Sequence, residues 1–166
     1  MSLTVRNVTL QDAQGIIDIL NPIIEDGRYT ILDSTFTLEE EQFFIQVFSE
    51  NGVFSVAQHD ETSEIVGFQT VEPFASYTRS FDHVGIIGTY VSANSRRQGV
   101  ASSLFAGTFE KAKTMGYEKL FAYVREDNEA ALNTYRKHGF EVIGRAKKHA
   151  KINGKYIDEI LIEKFL

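Results

Sequence analysis

The sequence predicts a mixed α/β fold on one central sheet, in the element order β-α-α-β-β-β-α-β-α-β-β. Three observations predict it. Apolar residues return at helical spacing over Ala13, Ile16, Ile17, Leu20 and Ile24, and again over Ala101, Leu104, Phe105, Phe109 and Ala112. The runs Glu141 to Lys151 and Lys155 to Phe165 are joined by Asn153-Gly154, the residue pair that suits a two-residue antiparallel hairpin. A strand-helix-strand crossover from His83 to Val124 demands a parallel pair, because strands joined through a helix run the same way.

The remaining elements follow in order. Leu3 to Val8 reads as a short strand, and Thr9 with Asp12 resembles a capping box in which Asp replaces the usual Glu or Gln. The first helix stops at Asp26-Gly27. Arg28 to Phe36 is a linker whose Tyr29, Thr30, Asp33 and Ser34 are polar groups of the kind loops use for function. Thr37 with Glu40 opens a second helix to about Ser49, and Asn51-Gly52 turns the chain. Val53 to His59 and Ile65 to Val71 read as a strand pair across the polar loop Asp60 to Glu64. Pro73 to Ser80 is a connector, and His83 to Val91 is the next strand. The helix Ala101 to Met115 ends at Gly116. Leu120 to Val124 is a short apolar run, predicted to be buried on both faces. Asn128 caps a helix carrying Ala131, Leu132 and Tyr135, and Gly139-Phe140 suits a left-handed C-cap with an apolar residue packing back.

Composition bounds the function. At 166 residues the chain is large enough to bury a core without disulfides or metals. No apolar stretch approaches the roughly 18 residues that span a bilayer, and no basic segment followed by an apolar run marks a secretory signal. Neither a membrane nor an exported location is expected, and the cytoplasm is the expected one. A net charge of −6 argues against broad nucleic-acid binding, which needs a positive face. The basic stretch Arg145, Lys147, Lys148, His149 and Lys151 reads as the solvated face of a strand. With no cysteine, any mechanism through a covalent enzyme thioester is excluded.

Chemistry concentrates at Arg96-Arg97-Gln98-Gly99-Val100-Ala101, between the strand to Val91 and the helix from Ala101. The first helical turn leaves backbone N–H groups without partners, and the helix dipole adds positive potential there. Glycine removes the Cβ that would hold a ligand away, and the arginines add charge, so the expected ligand is phosphorylated. The turn is neither a P-loop, lacking Gly-Lys-Ser/Thr, nor a three-glycine dinucleotide fingerprint. Alone, Arg-x-x-Gly-x-Ala is weak. It gains weight from a second segment, Asn128-Glu-Ala-Ala-Leu-Asn-Thr-Tyr135-Arg-Lys-His-Gly139-Phe140, which follows the second parallel strand.

With both signatures in this order and context, the sequence resembles the GCN5-related N-acetyltransferase superfamily over nearly its whole length. It looks most like the branch containing phosphinothricin acetyltransferase. The resemblance implies one N-acetyltransferase domain over residues 1–166, with acetyl-CoA as donor and no metal. It implies that Arg96, Arg97, Gln98, Gly99, Val100 and Ala101 hold the pyrophosphate. The pantetheine arm would lie in a split between splayed parallel strands at about 83–91 and 119–124, pairing with backbone near Thr89, Tyr90 and Val91. Splayed strands leave N–H and C=O groups that an amide-bearing arm satisfies. Val91 N–H would polarise the thioester carbonyl, Asn128 would hydrogen-bond the arm, and Tyr135 would protonate the departing thiolate. A thiol titrates near 8.5 and a phenol near 10, so a positioned tyrosine can donate as sulfur becomes basic.

The general base stays open. The strand His83 to Val91 holds no carboxylate, and the nearby candidates are Glu72, Asp82 and His83, or a chain of waters. The expected acceptor is a primary amine of a small molecule, an amino acid or analogue among them, attacked directly in a ternary complex. Tyr29, Thr30 and Glu72 are the expected acceptor-binding residues, and Glu25, Asp26 and Asp33 offer further negative charge for a cationic amine. Acetylation of a protein N-terminus or lysine is the rival within enzymes, and a non-catalytic acyl-CoA-binding module the rival outside them. A homodimer is compatible with the resemblance.

Overall fold

The structure is a computed structural model describing residues 2–166, and among those residues seven strands form one sheet flanked by four α-helices. In chain order these are β1 (Leu3–Asn7), α1 (Ala13–Asp26), α2 (Leu38–Val47), β2 (Val53–His59), β3 (Ile65–Pro73) and β4 (Val84–Val91). There follow α3 (Val100–Thr114), β5 (Lys119–Arg125), α4 (Glu129–Lys137), β6 (Glu141–Ile152) and β7 (Lys155–Phe165). The sheet order is β1-β2-β3-β4-β5-β7-β6, with β4 and β5 parallel and the other neighbours antiparallel. The predicted order of elements and the predicted fold class both hold.

Local chemistry sets the boundaries. Thr37 Oγ1 accepts from Glu40 N–H (3.2 Å) while the Glu40 carboxylate accepts from Thr37 N–H (2.8 Å), a reciprocal cap that starts α2. The Asp12 carboxylate accepts from Thr9 N–H (2.7 Å), but it closes a 3₁₀ turn, Leu10–Asp12, that leads into α1. Asn153 and Gly154 both take positive φ (50° and 77°), the backbone of the tight β6–β7 turn.

The buried side chains form three clusters on the two faces of the sheet, the smallest of them Ala57, Val66, Val100 and Leu104 under α3. On one face, Phe105 of α3 and Leu132 and Tyr135 of α4 pack with Val71, Ile87, Leu120, Val124 and Ile162. On the other, Ile16, Leu20 and Ile23 of α1, with Ile45 of α2 and Phe48 just beyond it, cover Phe54, Phe68 and Tyr90. Each fully buried Ile, Leu or Phe contributes about 1.5–3 kcal/mol, so these clusters hold the layers together.

β5 departs from expectation. Its even residues Leu120, Ala122 and Val124 are buried, but Tyr123, pointing the other way, is 41% exposed. The run is buried on one face, not on both. The α1–α2 layer packs over β2, β3 and β4 and leaves Tyr123 on the outer face of β5 open, while Arg125 and Glu159 on the same face are buried.

The basic stretch lies on β6, the sheet's edge. Arg145 pairs with Asp158 (2.8 Å) and Glu126, and Lys148 and Lys151 sit over the Tyr156 ring at 5.4 and 5.1 Å. Between Ala146 and Ala150 the register slips, and the Asp158 carboxylate accepts from Lys148 N–H (2.7 Å) to close the bulge.

Candidate functional site

The parallel ladder between β4 and β5 is short. It joins Val84 to Lys119, Gly85 to Leu120 and Ile86 to Phe121, and then stops. Beyond that point β4 stays paired with β3 as far as Gly67 opposite Val91, and β5 stays paired with β7 as far as Arg125 opposite Glu159. Each strand keeps its outer partner and loses its inner one.

Which β4 groups face the gap follows from alternation. Phe74 N–H donates to Val84 O (3.0 Å) and Ser92 N–H to Val66 O (2.9 Å), so even-numbered residues of this strand bond toward β3. His83 O, an odd position, accepts from Glu118 and Lys119 on the β5 side (2.8 and 3.1 Å). Thr89 and Val91 therefore direct N–H and C=O into the gap. The expectation that Tyr90 would offer backbone as well is corrected: its backbone bonds to β3, and only its side chain lines the gap. That ring stacks on Phe68 (4.9 Å), and burial raises its hydroxyl against the opposing effect of Thr30.

The gap opens into a cavity of about 710 Å³. Thr89, Tyr90 and Val91 form one wall, Asn128, Ala131 and Tyr135 another, and Arg96, Arg97, Gly99, Val100 and Ala101 its mouth. At the mouth Arg97 (φ 61°) and Gly99 (φ 82°) adopt left-handed backbone, and a Cβ built on Gly99 would meet nothing within 4 Å. That open space faces the first turn of α3, whose free N–H groups and dipole favour an anion. Gln98 does not line the cavity; its side chain donates to Asn94 O (3.0 Å). Arg96 lies over the Tyr29 ring at 5.1 Å, which fixes the guanidinium beside the mouth.

Tyr135 is buried (7% exposed), with its hydroxyl 3.0 Å from Thr89 Oγ1. Thr89 in turn accepts from Gln69 Nε2 (2.9 Å), while Gln69 Oε1 is buried without a partner. Burial pushes the Tyr135 phenol well above the usual tyrosine range, with the Thr89 contact opposing, so it carries its proton at working pH. His138 Nε2 lies 3.1 Å from Ser102 Oγ, within hydrogen-bond range, which ties α4 to the first turn of α3.

The linker after α1 is pinned against this site. Arg125 Nη1 donates to Gly27 O (2.8 Å) and Thr30 O (3.0 Å), and its Nε and Nη2 donate to Asp127 (2.9 and 2.8 Å). Asn128 Nδ2 donates to Tyr29 O (3.2 Å), and Asn128 Oδ1 caps α4 by accepting from Ala131 N–H (3.1 Å). One N–H and one lone pair of that amide remain for a ligand. Tyr29 lines the cavity; Thr30 is buried beneath it, its Oγ1 accepting from Leu32 N–H (3.2 Å).

The candidate bases lie apart from this constellation. His83 is exposed at the opposite end of β4, six residues from Thr89, or roughly 20 Å at 3.3 Å per residue. Glu72 stands opposite Ile86 on the face away from Tyr135, its carboxyl raised by partial desolvation. Asp82 is exposed and pairs with Arg79 (3.3 Å). Glu25 and Asp33 are exposed, and Asp26 pairs with Arg28 (2.6 Å).

Three residues that sequence reasoning missed belong to these surroundings: Gln69, Arg125 and Glu159. Glu159 lies on β7 opposite Arg125, buried, without a hydrogen bond or ion pair among the described residues. Only the cross-strand register reveals it.

Comparison with known proteins bears on the same residues. The model of the Acetyltransferase (GNAT) family matches residues 17–140. The chain is 33% identical over 96 residues to the L-amino acid N-acetyltransferase AaaT of Escherichia coli (strain K12), a match spanning 57% of this chain and 58% of that relative. It is 25% identical over 157 residues, 94% of each chain, to YwnH of Bacillus subtilis (strain 168), whose name assigns it provisionally to the phosphinothricin acetyltransferases. Among solved structures, a GNAT superfamily phosphinothricin acetyltransferase from Sinorhizobium meliloti, in complex with AcCoA, superposes with a TM-score of 0.89. It is 18% identical, with 100% of this chain and 89% of that one covered.

Proposed function

The chain belongs to the acetyltransferase (GNAT) family, and from that premise we propose that it transfers acetyl from acetyl-CoA to a primary amine of a small molecule, by direct attack in a ternary complex. One observation carries the reading. The break between β4 and β5 puts the unpaired edge of Thr89 and Val91, the anion-favouring turn at Arg96–Ala101 and the Tyr135 phenol around one cavity.

The residues present fit acetyl-CoA. The open cradle at Gly99, the helix N–H groups and the two arginines match a diphosphate, and the free strand edge matches an amide-bearing arm. When bound, acetyl-CoA supplies the acetyl group activated as a thioester. Val91 N–H supports negative charge on the carbonyl oxygen as the amine attacks. Asn128 offers its remaining amide N–H and lone pair to the arm. Tyr135 gives its proton to the leaving sulfur, and the proton shed by the attacking nitrogen returns to the phenol through water in the gap. Thr89, held by Gln69, fixes the phenol's position.

Affinity of the chain for acetyl-CoA and free-thiol release with a panel of amines and peptides test the proposal. The absence of cysteine keeps the protein itself silent in a thiol assay. Thiol release that depends on an added small amine is the expected result. Tight acetyl-CoA binding with no turnover on any acceptor would replace the proposal with a binding module, and turnover on peptides alone would move it to protein acetylation.

A further inference from the structure

The gap between β4 and β5 has two sides. On the α3–α4 side stand Tyr135 and the mouth at Gly99. On the other side α1 and α2 cover β2 to β4, and the sheet beyond is floored by side chains. Phe74 meets Phe121 edge to face (5.8 Å), Phe121 meets Tyr123 (4.9 Å), and His149 stacks over Tyr123 (5.7 Å). The β6 bulge brings His149 onto this face.

Glu159 belongs to the same floor. Residues opposite each other across a ladder share a face, so Glu159 shares one with Arg125 on β5 and Ala146 on β6. It is 4% exposed, and its carboxylate has neither a hydrogen bond nor an ion pair among the described residues. Arg125 is the obvious partner, but its guanidinium is committed to Asp127, Gly27 O and Thr30 O. Ala146 is too short to reach. Both carboxylate oxygens still keep some accessible surface, which sets this residue apart from a group sealed in a core.

A buried carboxylate is ordinarily paired, because leaving the charge unpaired out of water is costly. We propose that Glu159 determines acceptor specificity by binding a second cationic group, so that the acceptor class is diamines and other amines with a distant positive charge. The proposal rests on the acetyl-transfer reading above and deepens it. β7 lies two strands from β4, about 10 Å at the usual strand spacing and more where β4 and β5 have parted beyond Ile86–Phe121. An amine reacting in the gap would thus have its second charge on the order of 10 Å or more away. The aromatic floor suits both the apolar linker and the cation. Burial raises the Glu159 carboxyl, while His149 and Arg125, the charged groups facing it from β6 and β5, oppose that rise. A cation seated there would hold it ionised. An α-amino acid, by contrast, would bring its own carboxylate toward this one.

Thiol release with α,ω-diaminoalkanes of increasing length, n-alkylamines of matched length and α-amino acids decides the matter. In the wild type, kcat/KM for the best diamine should exceed that of its matched monoamine by about 10- to 100-fold, the worth of a charge-assisted contact, with one optimum chain length. Glu159→Gln should collapse that ratio toward one. Turnover of monoamines or amino acids with no diamine preference in the wild type overturns the proposal and leaves acetyl transfer standing. A preference that survives in folded Glu159→Gln also overturns it. If that variant does not fold, the wild-type length profile decides alone, a flat profile counting against. Acetyl-CoA binding with no thiol release on any amine removes both readings.

Discussion

Replacing Tyr135 by phenylalanine separates catalysis from stability, because the structure sets the two costs far apart. The ring stays in its pocket, edge on to Phe105 (5.5 Å) and Phe140 (5.0 Å), and only the hydroxyl is lost. Thr89 keeps its hydrogen bond from Gln69 (2.9 Å), so one neutral contact of 3.0 Å disappears. That costs about 1 kcal/mol, which lowers Tm by about 2–4 °C in a chain of this size. A general acid contributes about 100- to 10,000-fold to turnover. Burial raises the phenol, so it carries its proton when the thiolate departs. The expected variant therefore melts within a few degrees of wild type, binds acetyl-CoA with nearly unchanged Kd, and loses at least about 100-fold in kcat. Thermal melting, equilibrium binding and thiol release at saturating acceptor measure the three quantities. A kcat within threefold or so of wild type refutes the role given to Tyr135, since even the low end of acid catalysis is larger. Loss of acetyl-CoA affinity in step with kcat would make the phenol a structural strut.

Other positions give sharper contrasts in pairs. A Cβ at Gly67 would lie 2.8 Å from Val100 Cγ1 and 3.1 Å from Tyr90 O, so Gly67→Ala should push the start of α3 outward. Overpacking of about 1–3 kcal/mol should lower Tm and weaken acetyl-CoA binding together, both readable from melts with and without ligand. Gly99→Ala meets no neighbour, yet a left-handed alanine costs about 1 kcal/mol and its Cβ enters the anion cradle. Affinity for acetyl-CoA should fall about tenfold or more with a small Tm change, and unchanged affinity would exclude this turn as the phosphate site. Glu41 on α2 is 4% exposed, and desolvation lifts its carboxyl from 4.5 to about 7. The unfolded chain releases this proton first, so the stability associated with Glu41 should be full below pH 4.5 and fall as pH rises to about 7. Glu41→Gln should flatten that part of the Tm profile and raise Tm at pH 8; an unchanged profile would mean the group ionises freely in the fold.

What the sequence made legible is what neighbours along the chain decide. Asn153-Gly154, the Thr37–Glu40 cap and Asn128 at the start of α4 are local events, and each appears where expected. Thr89, Arg96–Ala101 and Tyr135 meet because they occupy the two ends of one crossover, whose length forces a parallel pair. The errors lie where distant segments decide. Leu120 to Val124 looks apolar throughout, and nothing in the run says that α1 and α2 stop at β4 and leave Tyr123 open. Where His83 and Glu72 fall is likewise decided at a distance: His83 lies at the far end of β4, and Glu72 on the β3 face away from Tyr135, the face that carries Glu159. Glu159 and Arg125 become neighbours because β7 inserts between β5 and β6, a pairing no stretch of the sequence announces. Asn128 caps α4 and also holds Tyr29, a contact to the linker that only the fold brings within its reach.

The break between β4 and β5 persists because each half of the sheet is complete without the other. Where the strands still touch, Gly85 sits so close to Val71, Leu120 and Tyr117 that any Cβ would force them apart, and this contact clamps the base of the gap. Above it, β4 is held by its ladder to β3 and β5 by its ladder to β7, so closing the gap would have to bend two intact ladders. The cost of leaving it open is confined to a few backbone groups, chiefly those of Thr89 and Val91, which in the proposed reading an amide-bearing ligand satisfies. On the other face, α1 and α2 stop at β4, which leaves Tyr123 open beside the buried Arg125 and Glu159. The proposed donor site and acceptor floor thus lie on the two faces of one missing ladder. In the proposed reading, the turn and phenol hold the donor while residues on β7, free of that duty, set the acceptor.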